Sequence, residues 1–157
     1  MTDDRQFCTF YLDGHYFGID VRKVQEVIRY QAMTRVPLAH AAVRGLINLR
    51  GQIVTAVDLR RRLDLHDRPA DRLPVNVVVS TDDGAVSLLV DEIGDVLNVN
   101  EGAFERAPET LTGAARDLIR GVYKLDGRLL LILDTARAVN VSGGAAFEPT
   151  HYTPTAP

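Results

Sequence analysis

Two strand-like runs, residues 7–12 and 15–19, flank Asp13-Gly14, a pattern that predicts a β-hairpin. The period then changes. Val21, Val24 and Ile28 recur at i, i+3 and i+7 between the polar Arg22, Lys23, Gln25 and Glu26, which predicts a short amphipathic helix capped by Asp20. Pro37 interrupts the next stretch, and residues 46–49 and 52–59 form a second predicted hairpin around Arg50-Gly51. Leu59, Leu63 and Leu65, beside Arg60, Arg61 and Arg62, continue as a short helix with Asp58 at its N-cap and the arginines facing solvent. Residues 75–80 and 85–90 around Asp83-Gly84, then 122–125 and 129–133, repeat the scheme, and Asp134 is placed to cap residues 135–139.

The repetition is visible in the letters. Residues 43–59, VRGLINLRGQIVTAVDL, return as residues 119–135, IRGVYKLDGRLLLILDT, with identities at Arg44/Arg120, Gly45/Gly121, Leu49/Leu125, Gly51/Gly127 and Asp58/Asp134. Upstream, Asp13-Gly14 answers to Asp83-Gly84, and Val24-x-x-Val27-Ile28 to Ile93-x-x-Val96-Leu97. A duplication of this size predicts two similar small barrels or sheets of one architecture, and short strands joined by glycine turns favour an all-β fold over a parallel α/β sheet.

At 157 residues, 46% apolar and 25% charged, the chain has ordinary globular composition. Its net charge is −3, and the eighteen cations include only two lysines, Lys23 and Lys124, so a nucleic-acid partner is not expected. One cysteine, Cys8, excludes an internal disulfide and fits a reducing compartment. Absence of a signal-like or membrane-spanning apolar run leads to a cytoplasmic address without membrane insertion. Residues 140–157 combine Gly, Pro, Thr and Ala without period and are expected to form a flexible tail.

Catalytic chemistry finds no footing. His15, His40, His66 and His151 stand at no ligand spacing, Cys8 has no nearby base, and phosphate-loop, nucleophile-elbow and zinc signatures are absent. The reading is therefore a non-enzyme with no catalytic residues, no cofactor and no metal. Capping is the expected work of Asp58 and Asp134.

Four segments in combination carry a resemblance: FGIDVRKVQEVI (17–28), RGLINLRGQIVTAVDLR (44–60), VDEIGDVLNV (90–99) and LILD (131–134). Together they resemble the CheW family of chemotaxis coupling proteins, over residues 6–139 as a single CheW-like domain. The resemblance implies a mainly β fold of two SH3-like five-stranded barrels with short helices. It implies an adaptor that joins the cytoplasmic hairpin tip of a chemoreceptor to the histidine kinase CheA, pairing with that kinase's own CheW-like regulatory domain, at membrane-associated arrays. The receptor tip would occupy an apolar groove between the barrels. A CheW-like scaffold of a non-flagellar system, such as surface motility, is the alternative.

Carried over by position, the implied receptor- or kinase-binding residues are Val24, Glu26 and Val27, then Gly45, Asn48, Arg50 and Gly51, and on the groove's opposite wall Asp95, Val96 and Leu97. Two of these have open readings. Val24 either faces a partner or packs within its own barrel, and Arg50 either binds or holds its hairpin through a neighbouring carboxylate. Val24→Asp and Gly45→Asp are expected to weaken receptor binding without unfolding the chain. Arg50 becomes Asp126 in the second repeat, so the two hairpins are electrically unlike. Thr55 stands where the family often has proline and brings an amide hydrogen able to join the ladder.

Overall fold

The computed structural model describes residues 4–141. Its first hairpin is β1 (Asp4–Leu12) and β2 (His15–Asp20), turned as expected by Asp13-Gly14. A single 3-10 turn (Val21–Lys23) leads into β3 (Val24–Ile28), followed by the hairpin β4 (Val43–Leu49) and β5 (Gln52–Asp58) and the one-turn helix α1 (Leu59–Arg62). The second half supplies β6 (Val75–Thr81), β7 (Gly84–Val90), β8 (Glu92–Asn100), the two-residue β9 (Phe104–Glu105), α2 (Gly113–Leu118), β10 (Ile119–Leu125), β11 (Arg128–Leu133) and α3 (Thr135–Ala138). Asp58 and Asp134 cap α1 and α3 by accepting from the amides of Arg60 and Arg137. The fold is mainly β with few short helices.

Hydrogen bonding arranges the strands into a six-stranded sheet, β8-β1-β2-β11-β10-β9, and a five-stranded sheet, β3-β6-β7-β5-β4. Apart from β9 the two orders are equivalent, and in each the hairpins meet through one parallel pair, β2 with β11 and β7 with β5. The repeats are exchanged between them. Each sheet takes the first hairpin of one half of the sequence and the remaining strands of the other, because the chain crosses from sheet to sheet after β2 and again after β7. Neither sequence half is thus a free-standing unit.

Strands inside the sheets bury both faces. Val78, Leu89, Val54 and Ala56 fill a core within the five-stranded sheet, and Phe7, Tyr16, Tyr123, Leu130 and Ile132 one within the six-stranded sheet. Their alternate neighbours, Phe10, Leu12, Phe17, Ile19, Val77 and Val79 among them, meet in a third cluster between the sheets. This central cluster makes the two sheets one body.

In both sheets the chain itself links the outer strands. After β8, the turn Glu101–Ala103 brings β9 against β10, and after β3, Thr34 exchanges two backbone hydrogen bonds with Leu46 of β4, at 2.9 and 2.8 Å. The repeated Arg-Gly motif marks these crossings. A Cβ on Gly45 would lie 2.6 Å from the Thr34 carbonyl oxygen, and one on Gly121 2.5 Å from that of Glu105, so at both places only glycine admits the returning chain. Each glycine also sits at a register shift, in β4 and β10 respectively.

Three sequence-based expectations are corrected. The helix over residues 20–28 is a 3-10 turn and a strand, in which Val21 falls in the turn and Val24 and Ile28 pack on opposite sides of β3, against the central cluster and the five-stranded sheet's own core. Arg60 does not face solvent. Its side chain is buried on Asp91, with Nε to the carboxylate at 2.9 and 3.2 Å, and Arg68 Nε donates to the same Asp91 at 2.9 Å. Arg68 and Arg44 also pair with the fully buried Asp58, so α1, the segment after it and the β7–β8 junction are held by one charge network. Lastly, Asn140 and Val141 belong to the packed body: Val141 lies against the central cluster and the Asn140 carbonyl accepts from Arg62. The remainder of the expected flexible tail lies outside the described residues. Thr55 pairs with Leu46 on one side and Val86 on the other, in the middle of the five-stranded sheet.

Candidate functional site

The predicted binding residues fall on the edge strands β3 and β8 and on the β4–β5 hairpin. On β3, Val24 lies opposite Val79 and Val27 opposite Val77, both of which point into the central cluster, while Glu26 lies opposite Val78, which points the other way. The bulge between Val24 and Glu26 thereby turns Val24 and Val27 to one face although they are three residues apart. β8 repeats the device. Ile93 lies opposite Phe10 and Val96 opposite Cys8, with one extra residue on β8 between them, and Leu97 lies opposite Phe7 and packs into the six-stranded sheet's own core.

This geometry sorts the valines by depth. Val24 and Ile93 are half-buried against the central cluster, whereas Val27 is 39% and Val96 53% exposed at its margin. Val24→Asp would therefore set a carboxylate against packed apolar side chains, a cost to the fold that the expectation of weakened binding in an intact chain leaves out. Val27 and Val96 are the accessible pair. Asp95 is exposed, and its backbone carbonyl is tied to β1 by the Thr9 hydroxyl.

Asn48, Arg50 and Gly51 build the hairpin tip. Arg50 and Gly51 both take positive φ, 52° and 87°, a turn whose twist matches the flanking strands, and the Asn48 side-chain oxygen accepts from the Gly51 amide at 2.8 Å. Arg50 forks onto Glu26, with Nη1 to Oε1 at 3.2 Å and Nη2 to Oε2. The hydrogen bond from Arg50 draws the Glu26 carboxyl below the usual glutamate range. In the second hairpin Asp126 carries no such fork, and Arg128 instead donates to the Tyr11 hydroxyl and lies 3.8 Å above the Tyr16 ring. Gly45 is buried beneath Thr34, so a side chain there disturbs the fold before it meets any partner.

Sequence reasoning overlooked two features nearby. Ile53, 61% exposed on β5 opposite Asn48, extends the apolar surface of the hairpin. The Asp58–Arg68–Asp91–Arg60 network was hidden because its members are scattered and nothing local marks them as buried. At Asp91, burial opposes the charge, and the Arg60 hydrogen bond, the Asp13 amide and Arg68 outweigh it, leaving the carboxyl below the ordinary aspartate range. Cys8 is half-buried and burial pushes its thiol up, away from nucleophilic use. No group of His, Cys, Asp and Glu able to hold a metal occurs among the described residues.

The arrangement offers apolar side chains at the margin of an inter-sheet core, flanked by an Arg–Glu fork, on two rigid edge strands. A protein-family profile described as CheW-like domain matches residues 6–142. The chemotaxis protein CheW of Bacillus subtilis is 34% identical over 125 residues, covering 80% of each chain. That of Klebsiella aerogenes is 30% identical over 139 residues, covering 88% of this chain and 84% of the relative. The crystal structure of the scaffolding protein TtCheW from Thermoanaerobacter tengcongensis superposes with a TM-score of 0.75 at 26% identity, covering 83% of this chain and 88% of that one. By these likenesses the chain belongs to the CheW-like domain family.

Proposed function

We propose that this protein is a non-catalytic chemotaxis adaptor that couples chemoreceptor cytoplasmic tips to the histidine kinase CheA in a signalling array. The observation that carries the reading is the matched pair Val27 and Val96, exposed at equivalent bulged positions beside the central cluster. Family membership supplies the class of partner. In this reading the two sheets are SH3-like barrels, with the chain after β3 returning to β4 through Thr34 and the chain after β8 returning to β10 through β9. The groove between them takes the receptor's apolar helical tip through Val24, Val27 and Val96, whereas Leu97, carried over as a groove residue, faces the six-stranded sheet's own core instead. Apolar anchors provide affinity there and rim charges, Glu26 and Asp95, provide selectivity.

The hairpin Asn48-Leu49-Arg50-Gly51, with Gly45 shaping the strand behind it, is proposed as the kinase-facing element, docking on the CheW-like regulatory domain of CheA. The protein would work in the cytoplasm and reach the membrane only through the array. No helix among the described residues is long and apolar enough to cross a membrane. Reconstitution tests the proposal. Receptor-containing vesicles, kinase and this protein should show ligand control of kinase autophosphorylation, and control that is equal with and without the protein refutes coupling.

A further inference from the structure

A second surface lies apart from the β3 and β8 valines. Two adjoining pockets, of about 360 and 350 Å³, share Arg35, Val43, Arg44 and Arg61 in their walls. Their charges do not balance. Arg44 pairs at 3.1 Å with Asp58, a carboxylate with no solvent exposure that Arg68 also engages. Arg61 is partnered by the exposed Asp67 at 3.1 Å. No carboxylate of a described residue pairs with Arg35.

The rim is apolar and strained. Leu38 is 76% exposed and sits at φ 64°, the left-handed region that a bulky side chain rarely occupies, and Val36 and Tyr30 beside the same pockets are each more than a third exposed. A scattered exposed leucine needs no explanation, but one held out by an unfavourable backbone beside three arginines does. Guanidinium groups grip carboxylates in two-pronged fashion, and an apolar side chain laid on Leu38 would shield those contacts from water.

We propose that the Arg35–Arg44–Arg61 pocket surface, with Leu38 at its rim, docks an acidic segment of a protein partner that also carries large apolar side chains. Charge complementarity selects carboxylates, and Leu38 selects the apolar neighbour. This contact is independent of the coupling role assigned to Val27 and Val96.

Fluorescence anisotropy with a labelled decapeptide of alternating glutamate and leucine tests it, against a lysine–leucine decapeptide and a labelled oligothymidylate. The full chain should bind the glutamate peptide at least tenfold more tightly than either control, and added salt should weaken that binding. Arg35→Glu combined with Leu38→Ser should reduce the affinity at least tenfold with an unchanged circular dichroism melt, and Val27→Asp should leave the affinity as it was. Absence of binding, equal binding of the lysine peptide, or tighter binding of the oligothymidylate overturns the proposal. So does loss of binding in Val27→Asp with retention in the Arg35/Leu38 variant, which would move the peptide to the β3–β8 surface.

Discussion

The guanidinium of Arg50 holds both carboxylate oxygens of Glu26, joining the hairpin between β4 and β5 to β3, the opposite edge of the five-stranded sheet. The pair is exposed on the arginine side, where water screens it. Thr34 and Leu46 link the same two edges through the backbone. Arg50→Ala should therefore leave the thermal midpoint within a degree or two (on the order of a surface-pair effect) while lowering affinity for the kinase. If Glu26→Arg with Arg50→Glu restores that affinity, the pair orients the hairpin; if it does not, Arg50 itself contacts the partner.

Gly45 and Gly51 separate two uses of glycine. Gly51 has open space around its missing side chain, so Gly51→Ala adds only the left-handed backbone cost, about 1 kcal/mol. Gly45→Ala drives a methyl group into the Thr34 carbonyl and should cost more, about 2 kcal/mol or above. Urea unfolding of the two variants measures the difference. Equal losses would show that the returning strand yields easily.

Much of this fold was legible beforehand. The Asp13-Gly14 and Arg50-Gly51 hairpins, the capping aspartates and the all-β class follow from turn chemistry and local period. In the 81–84 turn the two loop residues proved to be Asp82 and Asp83, with Gly84 opening β7. The i, i+3, i+7 spacing of Val21, Val24 and Ile28 mimics a helix face, and only the partner strand β6 shows that Val24 and Ile28 belong to opposite sides of a strand. The exchange of hairpins between sheets leaves no local trace either, since equivalent strands carry equivalent patterns. Arg50, Asn48, Val27 and Val96 are accessible, whereas the burial of Gly45 and the half-burial of Val24 depend on neighbours distant in sequence.

Arg60 and Arg68 share Asp91 in a site with little solvent. Arg60→Leu removes a buried partner and leaves a carboxylate underpaired, so the loss should be about 3 kcal/mol, well above the effect of an exposed arginine such as Arg22→Ala. Equilibrium unfolding decides this. A loss no larger than that of Arg22→Ala would mean that water reaches Asp91.

The same network sets an acid limit. The Asp91 carboxyl is depressed in the folded state, so its contribution is fully present above the unfolded aspartate value, about pH 4, and fades as pH falls through the lower folded value. Stability should decline below about pH 4, and less steeply in Asp91→Asn, measured relative to that variant's own neutral value. A parallel decline in both proteins would assign the acid sensitivity elsewhere.

The central claim is that the exposed valines of β3 and β8 engage the receptor in an adaptor without chemistry of its own. In the reconstituted receptor–kinase system, the double variant Val27→Asp/Val96→Asp should keep its unfolding midpoint and its kinase affinity, while receptor control of autophosphorylation falls at least tenfold (about 1.4 kcal/mol of lost binding). Full receptor control by that folded variant would contradict the account.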